Sequence, residues 1–205
     1  MGTFGRIYYN IFMYPFEKIL LGRIRRNLMG KARGNSLEIG FGTGVNLKYY
    51  DFEAIDSIIL LERNMIKGVS VTDNKKVSVM EGDVMELPFE DNTFDTVIFT
   101  LVFCSVEHPE RGLSEMRRVL KDNGHLIFIE HVVPEGKTMK KIAGSVNGTW
   151  SSMSNGCNLN RDTVSAIRDA GFHIVESDFS RKGVFVSGTA KKRRPEAFGV
   201  ENQLS

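Results

Sequence analysis

Short runs of β-branched and aliphatic residues alternate along this chain with longer stretches in which apolar positions recur at three- and four-residue intervals. Apolar runs of roughly four to eight residues bounded by turn residues predict strands, and a period of about 3.6 predicts helices. Strands are expected at Ser36–Ile39, Ser57–Leu61, Val77–Met80, Thr96–Phe99 and His125–Glu130, with two more at His173–Ser177 and Gly183–Thr189. Leu113, Met116, Val119 and Leu120 share one helical face, with Glu115, Arg117, Arg118 and Lys121 between them. Asn123-Gly124 is expected to stop that helix in the left-handed conformation. Thr163, Val164, Ile167 and Ala170 mark a second face, ended by Gly171. Alternation of this kind is the signature of an α/β fold with a parallel sheet. The last two strands are joined across Phe179 to Lys182, too short a link for a parallel crossover, so they should form an antiparallel hairpin.

At 205 residues and 41% hydrophobic content, the chain has the length and composition of a single globular domain, which excludes disordered, collagen-like and repeat classes. With no internal repeat or linker, residues 1–190 read as one domain and residues 191–205, poor in large apolar side chains, as a loosely ordered tail. Cys104 and Cys157 cannot build a disulfide framework and neither has metal-ligand spacing, so no metal is expected. The longest apolar runs, Val97 to Cys104 and Leu126 to Ile129, are far shorter than the roughly 20 residues that cross a bilayer. The N-terminus lacks a signal-peptide layout, and Arg6 stands where a myristoylation pattern wants Ser or Thr. A cytoplasmic protein is the expectation. Net charge is +2, which by itself gives no reason to expect nucleic acid as a partner. That total is uneven. Residues 1–35 hold seven basic residues (Arg6, Lys18, Arg23, Arg25, Arg26, Lys31, Arg33) against Glu17, a local +6, and residues 36–190 are left at −6.

Candidate chemistry begins at Ser36-Leu37-Glu38-Ile39-Gly40-Phe41-Gly42-Thr43-Gly44, a strand running straight into a glycine-rich turn. Glycine suits a backbone that passes close beneath a ligand, often at positive φ. Nicotinamide and flavin sites use a similar turn. Here the spacing is GxGxG with Val45 opening the next segment, and Glu38 precedes the first glycine by two residues, where its carboxylate could reach the amino-acid end of a ligand directly or through water. Glu62 ends the second strand 22 residues after Gly40, a place suited to accepting both ribose hydroxyls of a nucleoside. Asp83 follows the third strand in Gly82-Asp83-Val84, where it could accept a hydrogen bond from an exocyclic adenine amine. Three acids at successive strand ends lie where open α/β sheets bind ligands.

From about Ser36 to Glu130, and most continuously from Phe94-Asp95-Thr96-Val97-Ile98 through Val119-Leu120-Lys121-Asp122-Asn123-Gly124, the chain resembles class I S-adenosylmethionine-dependent methyltransferases of the quinone-biosynthesis-like kind. The resemblance implies a Rossmann-like seven-stranded sheet of order 3-2-1-4-5-7-6, with helices on both faces. It implies S-adenosylmethionine as cofactor, leaving as S-adenosylhomocysteine. Its site would comprise Glu38, Gly40, Phe41, Gly42, Gly44, Glu62, Arg63, Gly82, Asp83, Val84, Thr100 and Leu101. Two departures stand out: Asp122-Asn123 replace a common Pro-Gly turn, and Cys104-Ser105 replace a frequent His pair.

Thr100-Leu101-Val102-Phe103 follows the fourth strand in place of the (D/N)PP(Y/F) segment that holds planar amino groups of bases and amides, so a small or lipid-like acceptor is expected, a phospholipid amine, a quinone-like compound or a thiol. Trp150 to Phe172, taken with Glu130-His131, resembles bacterial phospholipid N-methyltransferases and membrane-associated thiol methyltransferases. His131 is a candidate to assist a protonated nucleophile or to wall the pocket, and Tyr14, Cys104 and Trp150 are further candidates for the acceptor pocket. Phe16, Ile19, Leu20, Ile24 and Leu28 mark one face of a helix begun after Pro15, preceded by Tyr8, Tyr9, Phe12 and Tyr14. Such a basic amphipathic arm suits either a lid over the cofactor or, through residues 1–29, contact with an anionic bilayer. Two other functional classes stay open at this point: a nicotinamide-dependent oxidoreductase, and a catalytically silent membrane-surface protein.

Overall fold

The computed structural model describes residues 21–65, 73–131, 161–179 and 185–193. Its elements are α1 (Gly22–Met29), β1 (Gly34–Ile39), β2 (Ile55–Glu62), β3 (Val77–Glu81), β4 (Phe94–Thr100), α2 (Pro109–Val119), β5 (Leu120–His131), α3 (Thr163–Asp169), β6 (Phe172–Phe179) and β7 (Phe185–Lys192). All seven strands lie in one sheet of order β3-β2-β1-β4-β5-β7-β6. β1 to β5 pair in parallel, and β7 runs antiparallel to both neighbours. The expected sheet and its terminal hairpin are therefore present.

Side chains alternate across the central strands and so divide the core in two. Leu37, Val97, Phe99, Leu126 and Phe128 pack with Leu113, Met116 and Val119 of α2 and Ile167 of α3. Ile58, Leu60, Ile98, Ile127 and Ile129 pack with Leu21, Leu28 and Met29 at α1. Helices thus cover both faces. Pro109 occupies the first turn of α2, where its missing N–H costs nothing. Asp162 caps α3, its side chain accepting from the Ser165 amide at 3.0 Å. Gly171 ends that helix at φ 85°, as expected.

Three expectations are corrected. Leu120 belongs to β5 rather than to α2, its backbone being extended at φ −73°, ψ 137°. Asn123-Gly124 is not a left-handed stop. Phe94 pairs with Leu120 but Thr96 with His125, so residues 121–124 loop out of the β5 ladder. Gly124 is needed there because a Cβ would stand 2.6 Å from Leu120 Cδ1. The supposed tail begins too early, because Lys191 and Lys192 pair with His173 and Phe172 inside the sheet.

The face of α1 also differs from the expected stripe. Leu21, Arg25, Leu28 and Met29 are buried, while Ile24 is only partly so. Arg25, one of the arm's seven basic residues, is 2% exposed. Pro15, Phe16, Ile19, Leu20 and the aromatic cluster Tyr8, Tyr9, Phe12 and Tyr14 lie outside the described residues, as do Trp150, Cys157 and Gly183. Among the described residues no helix is long and apolar enough to cross a membrane.

Candidate active site

β1 ends at Ile39 and the chain turns through Gly40, Gly42 and Gly44 at φ 66°, 58° and 75°. All three sit in the left-handed region, but their surroundings differ. A Cβ on Gly40 would lie 2.6 Å from Val102 Cγ2, and one on Gly44 would lie 2.9 Å from Leu47 Cδ1. Over Gly42 a Cβ would meet nothing within 4 Å. Gly40 and Gly44 are small so that the turn can close, whereas Gly42 leaves free space above the backbone.

The half-buried carboxylate of Glu62, at the end of β2, accepts a hydrogen bond from the Gly42 amide at 3.0 Å. Asp83 accepts from the Met85 amide at 2.9 Å through Oδ1, and its Oδ2 lies 3.3 Å from Nε of the exposed Arg63. Gly42, Glu62, Arg63 and Asp83 therefore line one rim at the carboxyl ends of β1, β2 and β3. Gly82 is small for packing reasons, since a Cβ there would stand 3.0 Å from Leu61 Cδ1. Phe41 and Val84 point into the core, 4% and 6% exposed.

Glu38 lies beneath the turn rather than in it. It is 1% exposed, and its two oxygens accept from Asn46 Nδ2 at 2.6 Å and from the Tyr50 hydroxyl at 2.7 Å. Burial pushes its carboxyl above the usual range, against the lowering effects of Tyr50, Asn46 and the Arg25 guanidinium. Arg25 Nη1 donates to Asn46 Oδ1 and, at 3.2 Å, to Thr100 Oγ1; Asn46 Nδ2 also donates to Thr100 at 3.2 Å. Thr100 thus belongs to this buried knot.

The end of β4 is held with equal care. Leu101 adopts φ 57°, an unfavourable conformation for a residue that carries a Cβ, and its amide donates to Ile129 O at 2.8 Å. The following amides of Val102 and Phe103 both donate to Glu130 Oε1, at 2.7 and 2.8 Å. Glu130 is fully buried, so this clasp fixes the segment that packs against Gly40. Cys104 is 3% exposed, with its sulfur 3.7 Å from Leu101 O. His131, the last residue of β5, is buried against the Phe185 ring at a centroid distance of 4.6 Å. Neither of its ring nitrogens has a hydrogen-bond partner among the described residues. Burial lowers its pKa to about 4, so the imidazole is neutral at pH 7.

Sequence reasoning missed Asn46 and Tyr50 altogether, counted Arg25 only as one of the arm's charges, and named Glu130 without its clasp. Asn46 and Tyr50 carry no sequence signal. Arg25 does carry one: it stands four residues after Leu21 and three before Leu28, inside the apolar stripe of its own helix.

Sheet order and rim together make a Rossmann-like arrangement with its acids at the carboxyl ends of the strands, where such sheets bind ligands. The chain matches the methyltransferase domain model over residues 37–128. It is 32% identical over 176 residues to the human thiol S-methyltransferase TMT1A, covering 81% of this chain and 71% of that one. It is 31% identical over 130 residues to the phosphatidylethanolamine N-methyltransferase of Cereibacter sphaeroides, covering 59% and 63%. A solved S-adenosylmethionine-dependent methyltransferase from Mesorhizobium loti shares the fold at a TM-score of 0.66 and 14% identity, covering 83% of this chain and 96% of that one. The chain belongs to the S-adenosylmethionine-dependent methyltransferase family. It spans between 61% and 71% of the length of the mammalian thiol methyltransferases it matches. Family membership displaces the nicotinamide reading of the glycine turn.

Proposed function

We propose that this chain transfers a methyl group from S-adenosylmethionine to a small or lipid-like acceptor presenting a thiol or an amine. The observation that carries the cofactor half is the open space over Gly42 beside the Glu62 carboxylate, with Asp83 one strand further on. A methionine portion fits over the turn, ribose hydroxyls suit Glu62, and the adenine amine suits Asp83. The acceptor half is supported by the names of the relatives, which act on thiols and on phosphatidylethanolamine.

The cofactor supplies an already activated methyl group, so the chain's task is orientation. Holding the acceptor atom in line can lower the barrier by about 7 to 11 kcal/mol through proximity alone. The clasped Leu101–Phe103 segment forms a stiff wall for that purpose, and His131, with both ring nitrogens buried, suits a wall better than a base. Calorimetric titration tests the cofactor: wild type binds S-adenosylmethionine and Glu62→Ala binds it much more weakly. Incubation with 2-mercaptoethanol, or with phosphatidylethanolamine vesicles, should yield S-adenosylhomocysteine in at least one case. Binding without any turnover on thiol, amine or cell extract would favour the silent binding protein instead.

A further inference from the structure

We infer that Arg25 is a positioning residue for the cofactor, through which the N-terminal helix α1 holds the glycine turn in its binding shape. The inference rests on the cofactor reading given above and goes beyond it, because Arg25 lies outside every motif that defines the site. Asn46 stands two residues after Gly44 and is 1% exposed. It is gripped from three sides: Arg25 Nη1 donates to its Oδ1, while its Nδ2 donates to Glu38 at 2.6 Å and to Thr100 at 3.2 Å. Gly42, with nothing within 4 Å of its Cβ position, has no packing to fix it from above. Beyond the bond from the Gly42 amide to Glu62 at 3.0 Å, the turn's geometry therefore depends on its two legs. β1 secures the first through the sheet. The second, through Gly44 and Asn46, is secured by this buried knot.

Arg25 brings the only positive charge named in the knot, opposite a Glu38 carboxyl that burial disfavours as an anion. An apolar residue on α1 could fill the same volume but could not orient Asn46. The guanidinium fixes which way the amide faces, since an oxygen must meet Arg25 if the NH2 group is to meet Glu38 and Thr100. Whatever displaces α1 then loosens the cofactor turn, and by linkage, bound cofactor steadies α1.

The experiment compares wild type, Arg25→Met, Arg25→Lys, the double variant Arg25→Met/Glu38→Gln, and Leu28→Ala. Leu28 lies on the same buried face of α1 and makes only apolar contacts in the core, so Leu28→Ala reports loss of helix packing alone. The double variant removes both charges and guards against misfolding caused by an unpaired Glu38. Two quantities are read: the Kd for S-adenosylmethionine by calorimetry, and amide hydrogen exchange at Gly44 and Leu47 in the ligand-free protein. Those amides donate to Phe41 O at 2.9 Å and Gly44 O at 3.1 Å inside the turn. Arg25→Met and the double variant should weaken binding by about tenfold, the worth of one lost charge-assisted hydrogen bond, and speed exchange at both amides. Arg25→Lys should recover part of each effect, and Leu28→Ala should lower Tm while leaving Kd and the two amides near wild type. Arg25→Met matching Leu28→Ala in Kd and exchange at equal loss of Tm overturns the positioning role. Absence of binding by wild type overturns the cofactor reading and this inference with it.

Discussion

Replacing His131 by phenylalanine should remove a defined share of the acid sensitivity of this fold. The imidazole ring is buried against Phe185, and burial alone lowers its pKa from 6.5 to about 4. An unfolded chain takes up that proton near pH 6.5, whereas the folded chain resists it. Stability contributed by the neutral ring is therefore whole above pH 6.5 and is lost as pH falls towards 4. Two and a half pH units correspond to about 3 kcal/mol in full, of which about 2 kcal/mol has gone by pH 5. Other groups titrate in the same range. Glu38, its pKa raised by burial, has the opposite sign, and His125, its pKa lowered by burial and by Lys191 and Arg33, has the same sign as His131. The informative quantity is thus the difference between wild type and His131→Phe, measured by urea denaturation from pH 7.5 to pH 5. Packing effects of the larger ring appear as a constant offset. The pH-dependent part should shrink by about 2 kcal/mol between those limits. A flat difference curve would refute the reasoning, because it would mean that the ring is hydrated or paired in the folded protein.

Glu130→Ala leaves the Val102 and Phe103 amides without their acceptor and should cost about 2 to 4 kcal/mol by chemical denaturation, with Glu130→Gln, which keeps an acceptor oxygen, costing clearly less. Equal losses would deny the clasp. Gly42→Ala forces a side chain to φ 58° and should cost about 1 to 2 kcal/mol of stability; because the new methyl enters the space above the turn, S-adenosylmethionine affinity should fall by much more than stability does. Unchanged affinity would place the cofactor elsewhere. If the arm meets an anionic bilayer, the exposed Arg23 and Arg26 should each supply about 1 kcal/mol of attraction. Arg23→Glu/Arg26→Glu should then co-sediment less with phosphatidylserine vesicles, and high salt should release wild type; salt-independent pelleting would rule this contact out.

The seven strands were legible because each apolar run is short and bounded, and the antiparallel last pair because its link is too short for a crossover; their order in the sheet came only with the family resemblance. Helix ends were less so. Leu120 continues the apolar spacing of α2, yet pairing with Phe94 draws it into β5. On the rim, Gly42, Glu62 and Asp83 were readable from their position after strands, where only a local pattern is needed. Glu38 and Thr100 occupied the expected strand ends but face inward, because partners as far as 75 residues away in sequence claim them. Arg25 was misread for a related reason: counting charges treats every basic residue of a segment as solvated, and only its helical phase betrays the one that is buried.

The position of β7 gives the carboxyl-terminal part of the chain unusual leverage. Among the described residues it is the last strand in sequence, yet it lies between β5 and β6. Until residues 185–192 have left the ribosome, β5 presents an open edge from Leu126 to His131, and β6 has no strand to join. Loss of that single strand through a premature stop codon therefore strips two strands from the sheet. The nascent chain then carries a bare aliphatic edge of the kind that chaperones and aggregates capture.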